Sequence, residues 1–180
     1  MIDLDANPGL RRLYHIARFR VTLGFAVAAL AFWLARPTWA TLGSGAALAA
    51  FGEGLRLWAA GYLEKGDEVT CSGPYRLNRH PLYCGTFVIG VGFSVAAASA
   101  VVATLVLVYL AIMLPVAIRL EEATLRAAFG EEYERYVRGS LTVPERRFSA
   151  ARVLGNGEHH ALLGFAAALV ILGLKVSLGV

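Results

Sequence analysis

The chain has 180 residues, 57% of them hydrophobic and 17% charged, with a formal net charge of +4. The charged fraction falls below the roughly 25% of a soluble domain; a soluble core of this size could not hide so many apolar residues, so lipid must cover the remainder. The length is that of one domain, residues 1–180, and a basic excess carried by arginines that flank apolar runs points to anionic lipid head groups and away from nucleic acid.

In chain order, residues 1–20 form a basic amphipathic N-terminal helix. The acidic start (Asp3, Asp5) and the late first apolar run do not read as a cleaved signal. Over LRRLYHIARFR, Leu10, Leu13, Tyr14 and Ala17 share one face, and Arg11, Arg12, His15 and Arg18 share the other. Such a helix lies at the membrane surface or opens the first span. That span, Val21 to Ala35, stops at Arg36-Pro37 because proline cannot continue a helix. A second run, Thr38 to Leu63, is long enough to cross a hydrocarbon core of about 30 Å, although it contains Glu53 and Arg56.

After the polar segment Glu64 to Pro81 come the third span, Leu82 to Ala98, and the fourth, Val101 to Ile118. Only Ser99-Ala100 and their neighbours separate them, which predicts a tight antiparallel hairpin. Residues 119–152 are charged and helical in pattern, with Glu131, Glu132, Glu134 and Arg135 read as a solvated face with local ion pairs. The run 161–180 supplies an additional C-terminal span, interrupted only by Lys175, which is expected to snorkel. Cys71 and Cys84 fit no disulfide framework, zinc site or redox motif and are read as small apolar fillers. The expected fold is therefore all-α: a polytopic transmembrane helical bundle with four core spans and a fifth at the C-terminus.

Charge placement predicts its orientation. Four arginines precede span one, Lys65, Arg76 and Arg79 lie between spans two and three, and seven arginines lie between spans four and five. The opposite side has Arg36 alone. The positive-inside rule puts the N-terminus and both polar segments in the cytoplasm, as in a bacterial inner or equivalent membrane.

Chemistry is concentrated in those two polar segments. In the first, Gly73-Pro74 is turn chemistry. His80 precedes a proline and is biased toward extended backbone, so Pro81 can open the third helix. Arg79, His80 and Tyr83 then surround a helix N-terminus, where free N–H groups suit a carboxylate or hydroxyl. The second segment carries the adjacent carboxylates Glu121 and Glu122, followed by Phe129-Gly130, Tyr133 and Tyr136. Glu53 and Arg56 stand three apart on one helix face. Ionisable groups inside a span are functional candidates by default, and this pair could also neutralise itself. Arg76 reads as a head-group or topology residue.

GPYRLNRHPLYCG (73–85) followed by EEATLRAAFGEEYERY (121–136) and Pro144 resembles the isoprenylcysteine carboxyl methyltransferase family and its phospholipid methyltransferase relatives, over roughly residues 50–145. The short Gly90-Val91-Gly92 resembles the GxG of the phospholipid enzymes, but reads first as close helix packing. The resemblance implies a cytoplasmic pocket for S-adenosyl-L-methionine, with Tyr75, His80, Pro81, Leu82, Tyr83 and Glu121 touching the cofactor. Glu122 would lie beside it. Glu68, Val69 and Thr70 occupy the stretch that lines the pocket in the family, where Asp67-Glu68-Val69 replaces the usual His-x-Leu.

Arg56 matches a frequent family arginine. By contrast, Ala117 stands where eukaryotic carboxyl methyltransferases have a substrate-binding arginine, with Arg119 two residues on. Arg79 would hold an anionic group of cofactor or acceptor. Glu122 or His80 would serve as base if the acceptor were an amine or thiol. The expected partners are a lipophilic small-molecule or lipid substrate and membrane lipids. The alternatives are phospholipid-amine or small-thiol methylation, a non-catalytic scaffold or transporter, and a membrane reductase related to the sterol reductases, which the RHPLYCG string disfavours.

Overall fold

A computed structural model describes residues 8–141 and 145–180. Asp3, Asp5 and Pro144, and the side chains of Leu10 and Arg12, lie outside the described residues. Within them there is no strand. Helix α1 (Pro8–Leu34) joins the basic amphipathic segment to the first apolar run without a break, so that segment is the start of the span. Helix α2 (Trp39–Ala60) begins at a capping box: the Thr38 hydroxyl accepts from the Thr41 N–H, and the Thr41 hydroxyl accepts from the Thr38 N–H. Helix α3 (Pro81–Ala96) opens on its proline as expected, and α4 (Ala100–Phe129) opens at Ser99, whose hydroxyl accepts from the Val102 N–H. Gly130, at φ 50°, turns the chain into α5 (Glu131–Val137). The short α6 (Ala150–Gly155) leads into α7 (Glu158–Leu178).

Helices α1, α4 and α7 are long and apolar enough to cross a membrane, and α3 is a shorter apolar helix. Together with α2 they make a helical membrane bundle in which α1 packs on α4, α2 on α3 and α7, and α3 on α4. Phe19, Phe25, Trp33, Trp39 and Phe51 point outward, as lipid-facing side chains do. At about 1.5 Å per residue α4 is longer than the hydrocarbon core is thick. Its last three turns, with Arg119, Glu121, Glu122 and Arg126, therefore extend past the hydrocarbon core if the helix enters it at Ala100.

Small residues set the α2–α3 contact. A methyl group on Gly85 would sit 2.7 Å from the Gly52 carbonyl oxygen and 2.6 Å from Arg56 Cγ, so only glycine permits this approach. Gly92 meets Ala49 in the same way, and Gly90 faces Leu110 of α4. The Gly-Val-Gly run is thus a packing feature on two faces. The apolar core gathers at one end of the bundle, around Ala35, Leu42, Ala96, Ala97, Val102 and Leu172. Lys175 reaches back here. Its Nζ donates to the carbonyls of Phe32 (2.9 Å), Trp33 (3.2 Å) and Ala35 (2.9 Å), placing a cation on the C-terminal carbonyls of α1. The polar segments all collect at the opposite end.

Candidate active site

Four pieces of chain converge at the polar end: the loop after α2, the Gly73–Arg76 corner, the first turn of α3 and the last turns of α4. The loop is closed locally by the Glu64 N–H donating to Thr70 Oγ1 at 3.1 Å. Val69, Thr70 and Ser72 are buried. Residues 73–76 form one 3-10 turn whose Gly73 takes φ 58° against the Tyr62 ring. The Tyr136 hydroxyl donates to the Tyr75 carbonyl at 2.7 Å, tying this corner to α5.

These pieces enclose a cavity of about 520 Å³ lined by Glu68, Val69 and Thr70, by Tyr75 and Arg79, by Leu82 and Tyr83, and by Glu121 and Arg56. Nine of the twelve site residues expected from the sequence are therefore brought together, in a volume ordinary for a small-molecule site. His80, Pro81 and Glu122 lie beside the cavity and do not line it. Nor do Ala117, which is buried, and Arg119, which is exposed.

Glu122 is a tie between helices. Burial pushes its carboxyl up, but hydrogen bonds from His80 and Arg126 and the nearby Arg79 outweigh this and hold it below its ordinary value. The ionised carboxylate can only accept, so His80 Nε2–H donates to Oε1 at 3.0 Å. Arg126 Nη1 is 3.3 Å from Oε2, and Arg79 Nη1 is 3.6 Å from Oε1. His80 itself caps α3, its N–H donating to Asn78 Oδ1 at 2.7 Å.

Arg56 lines the cavity at the level of α3. Nη1 donates to Thr86 Oγ1 at 2.6 Å, Nη2 to Glu158 Oε2 at 2.7 Å, and Nε lies 3.8 Å from Glu53 Oε2. Thr86 also lines a second, largely apolar cavity of about 360 Å³ among α1, α3, α4 and α7, which reaches Ala31, Phe93, Leu110 and Leu172. The polar site and an apolar space inside the bundle thus meet at the Arg56–Thr86 contact.

The polar cavity has features suited to a polar ligand. The Tyr75 and Tyr133 hydroxyls are buried without a partner among the described residues, and both residues line it. An unsatisfied buried hydroxyl costs about 1–3 kcal/mol unless something bonds it. Burial raises the Tyr75 and Tyr136 phenols, helped at Tyr75 by the Glu121 carboxylate, so both are neutral donors. Carboxylates (Glu68, Glu121), cations (Lys65, Arg79) and aromatic faces (Tyr83, Phe129, Tyr136) complete the walls. This set fits an amino acid joined to an adenine nucleoside through a sulfonium: acids for hydroxyls and an ammonium, a cation for a carboxylate, rings for the base and positive sulfur.

Several wall residues escaped the sequence reading. Asn156 and Glu158 come from beyond α6, and α7 begins at Glu158, three residues before the apolar run was expected to start. An acid just ahead of a long apolar run was the available signal. Tyr133 and Tyr136 lay inside the motif without a role, although two tyrosines three apart share a helix face. Arg146 and Arg152 hold the loop: Arg146 binds Glu64 at 2.7 Å and Glu68 at 2.6 Å, and Arg152 Nη1 donates to the Gly61 carbonyl at 2.8 Å. Arg76 pairs with Glu145 at 3.0 Å, while Arg126–Glu134 and Arg138–Glu131 are local pairs of the kind expected on α5. Cys84 is exposed, so it does not fill a core gap. Both thiols are free.

Comparison with known proteins agrees with the motifs. Residues 19–132 match the phospholipid methyltransferase family. The chain is 40% identical over 136 residues to the cobalt-zinc-cadmium resistance protein CzcN of Cupriavidus metallidurans, covering 68% of this chain and 61% of that protein. It is 38% identical over 85 residues to the nickel-cobalt-cadmium resistance protein NccN of Alcaligenes xylosoxydans xylosoxydans, covering 46% of this chain and 39% of that protein. The matches thus span less than two thirds of the length of these relatives. No solved structure matches.

Proposed function

The chain belongs to the phospholipid methyltransferase family, and from that premise we propose that it transfers a methyl group from S-adenosyl-L-methionine to a lipophilic, membrane-borne acceptor, with the polar cavity facing the cytoplasm. The supporting observation is that Tyr83 of α3 and Glu121 of α4, far apart in sequence, line one cavity with Tyr75 and residues 68–70. When bound there, the cofactor would supply a methyl on a positively charged sulfur, and transfer would neutralise that sulfur. Glu121 would hold the cofactor's ammonium or ribose hydroxyls, and Arg79 its carboxylate. The Tyr75 and Tyr133 hydroxyls would gain the partners they lack, and Leu82 and Val69 would exclude water. His80, Pro81 and Glu122 would act indirectly by fixing the α3 N-terminus against α4. Arg56 stands where an acceptor arriving through the apolar space would present its polar end.

Isoprenylcysteine carboxyl methyltransferase-like chemistry, phospholipid-amine methylation and thiol methylation all fit this frame. Metal resistance is what the names of the two relatives record for those proteins. For this chain, a contribution to such resistance would run through a methylated product. Isothermal calorimetry of the detergent-purified chain with S-adenosylhomocysteine tests the reading: micromolar binding is expected, weakened about tenfold or more by Glu121→Ala through the loss of a charged contact. Absence of heat at millimolar ligand would rule the cofactor out. A scaffold that merely kept the fold would retain its cellular role in the Glu121→Ala strain, whereas an enzyme would lose it.

A further inference from the structure

The wall of the polar cavity from Glu68 to Thr70 belongs to a loop between α2 and the Gly73–Arg76 corner that contains no helix or strand. Val69, Thr70 and Ser72 pack inward, whereas Lys65, Gly66 and Asp67 just before Glu68 are exposed. Much of what anchors this loop comes from residues beyond the family-matched region, which ends at 132. Arg146 makes three contacts to it. Its backbone N–H donates to Ser72 Oγ at 3.0 Å, Nη1 donates to Glu64 Oε1 at 2.7 Å, and Nη2 lies 2.6 Å from Glu68 Oε2. The two carboxylates differ in what else holds them. Glu64 also accepts from Arg152 Nε at 2.5 Å, while Arg146 is the cation paired with Glu68 among the described residues.

Resting on the methyltransferase reading above, we propose that Arg146 is a positioning residue for the cofactor: through its pair with Glu68 it holds the Glu68–Thr70 wall in the shape that binds. A carboxylate offers about four acceptor positions, so pairing at Oε2 fixes Glu68 and leaves Oε1 for a hydroxyl or ammonium of the ligand. An isolated exposed ion pair would contribute little. Here the guanidinium is 28% exposed and bridges two carboxylates, one of them held again by Arg152. Without Arg146 the Glu68 carboxylate would turn to water, and each binding event would have to order the wall anew. Glu64 would keep Arg152, so the loss falls on the wall and spares the start of the loop.

Calorimetric titration of S-adenosylhomocysteine into the full-length chain in detergent is the test. Arg146→Gln is expected to weaken binding about tenfold, and Arg146→Lys, which keeps a cation between the two acids, to stay within about threefold of the wild type. Glu68→Gln is expected to weaken binding by at least about tenfold, and adding Arg146→Gln to it to cost less than about twofold more, because both changes remove one pair. An arginine that merely supported the fold would weaken binding by the same factor with or without Glu68. That outcome overturns the proposal, and so does wild-type affinity in a folded Arg146→Gln protein. If Arg146→Gln is not recovered folded, wild-type affinity in Glu68→Gln overturns it instead. Absence of binding from the wild type tells against the methyltransferase reading and takes the proposal with it, whereas binding that ignores Arg146→Gln tells against the role of Arg146 alone.

Discussion

Glu121 and Glu122 are neighbours in sequence, but one residue along a helix is about 100° around it, and their surroundings differ accordingly. Glu121 lines the cavity with Tyr83, while Glu122 turns to His80, Arg126 and Arg79. Because those partners hold the Glu122 carboxyl below its ordinary value of 4.5, their contribution to stability is present above that value and is lost as pH falls through the lower, folded-state value. Glu122→Gln should therefore melt below the wild type at pH 7, by an amount corresponding to about 1–3 kcal/mol for a charge-assisted bond. The gap should close as pH falls below the ordinary carboxylate range and through the lower, folded-state value. Melting curves of both proteins between pH 3 and pH 7 check this, and a gap independent of pH would remove the ion pairing from the account. The packing of α3 on α4 gives Glu122 the partners that Glu121 does not share.

At the scale of elements, the α2–α3 pair positions the site. Gly52 and Gly85 bring the two backbones together one turn from Arg56, which fixes where the guanidinium emerges. Gly85→Ala forces the pair apart and is expected to cost about 1–3 kcal/mol, as overpacking does. Gly54 has open space around its Cα, so Gly54→Ala should be neutral or stabilising by up to about 1 kcal/mol. Thermal melts in one detergent compare the two, and equal tolerance would show that the close approach is not needed. The existence of α1 to α4 was legible in the sequence because long apolar runs have few alternatives to helix in lipid, and their ends were marked by Pro37, Thr38, Pro81 and Ser99. The strap of Arg146, Arg152 and Asn156 was not legible. Its partners are the carboxylates and backbone carbonyls of residues 60–68, and a charged stretch carries no periodic signal of what it will meet.

For the whole molecule, the two ends of the bundle have opposite characters: an apolar core with the Lys175 cap at one, and arginines, carboxylates and the cavity at the other. If the polar end faces the cytoplasm, a membrane-impermeant maleimide applied to intact cells should label Ala100→Cys and leave Lys65→Cys unlabelled, in a background of Cys71→Ser and Cys84→Ser. The reverse pattern would invert the orientation. The sequence by itself determined that the chain is a helical membrane protein and where its two polar motifs lie relative to the apolar runs, because hydropathy and turn residues act locally. Only the tertiary structure decided that Glu122 is a tie, that Lys175 caps α1, and that Glu158 closes on Arg56. Each of these depends on which distant groups share a poorly solvated space, and burial, not position along the chain, sets what a charge there can do.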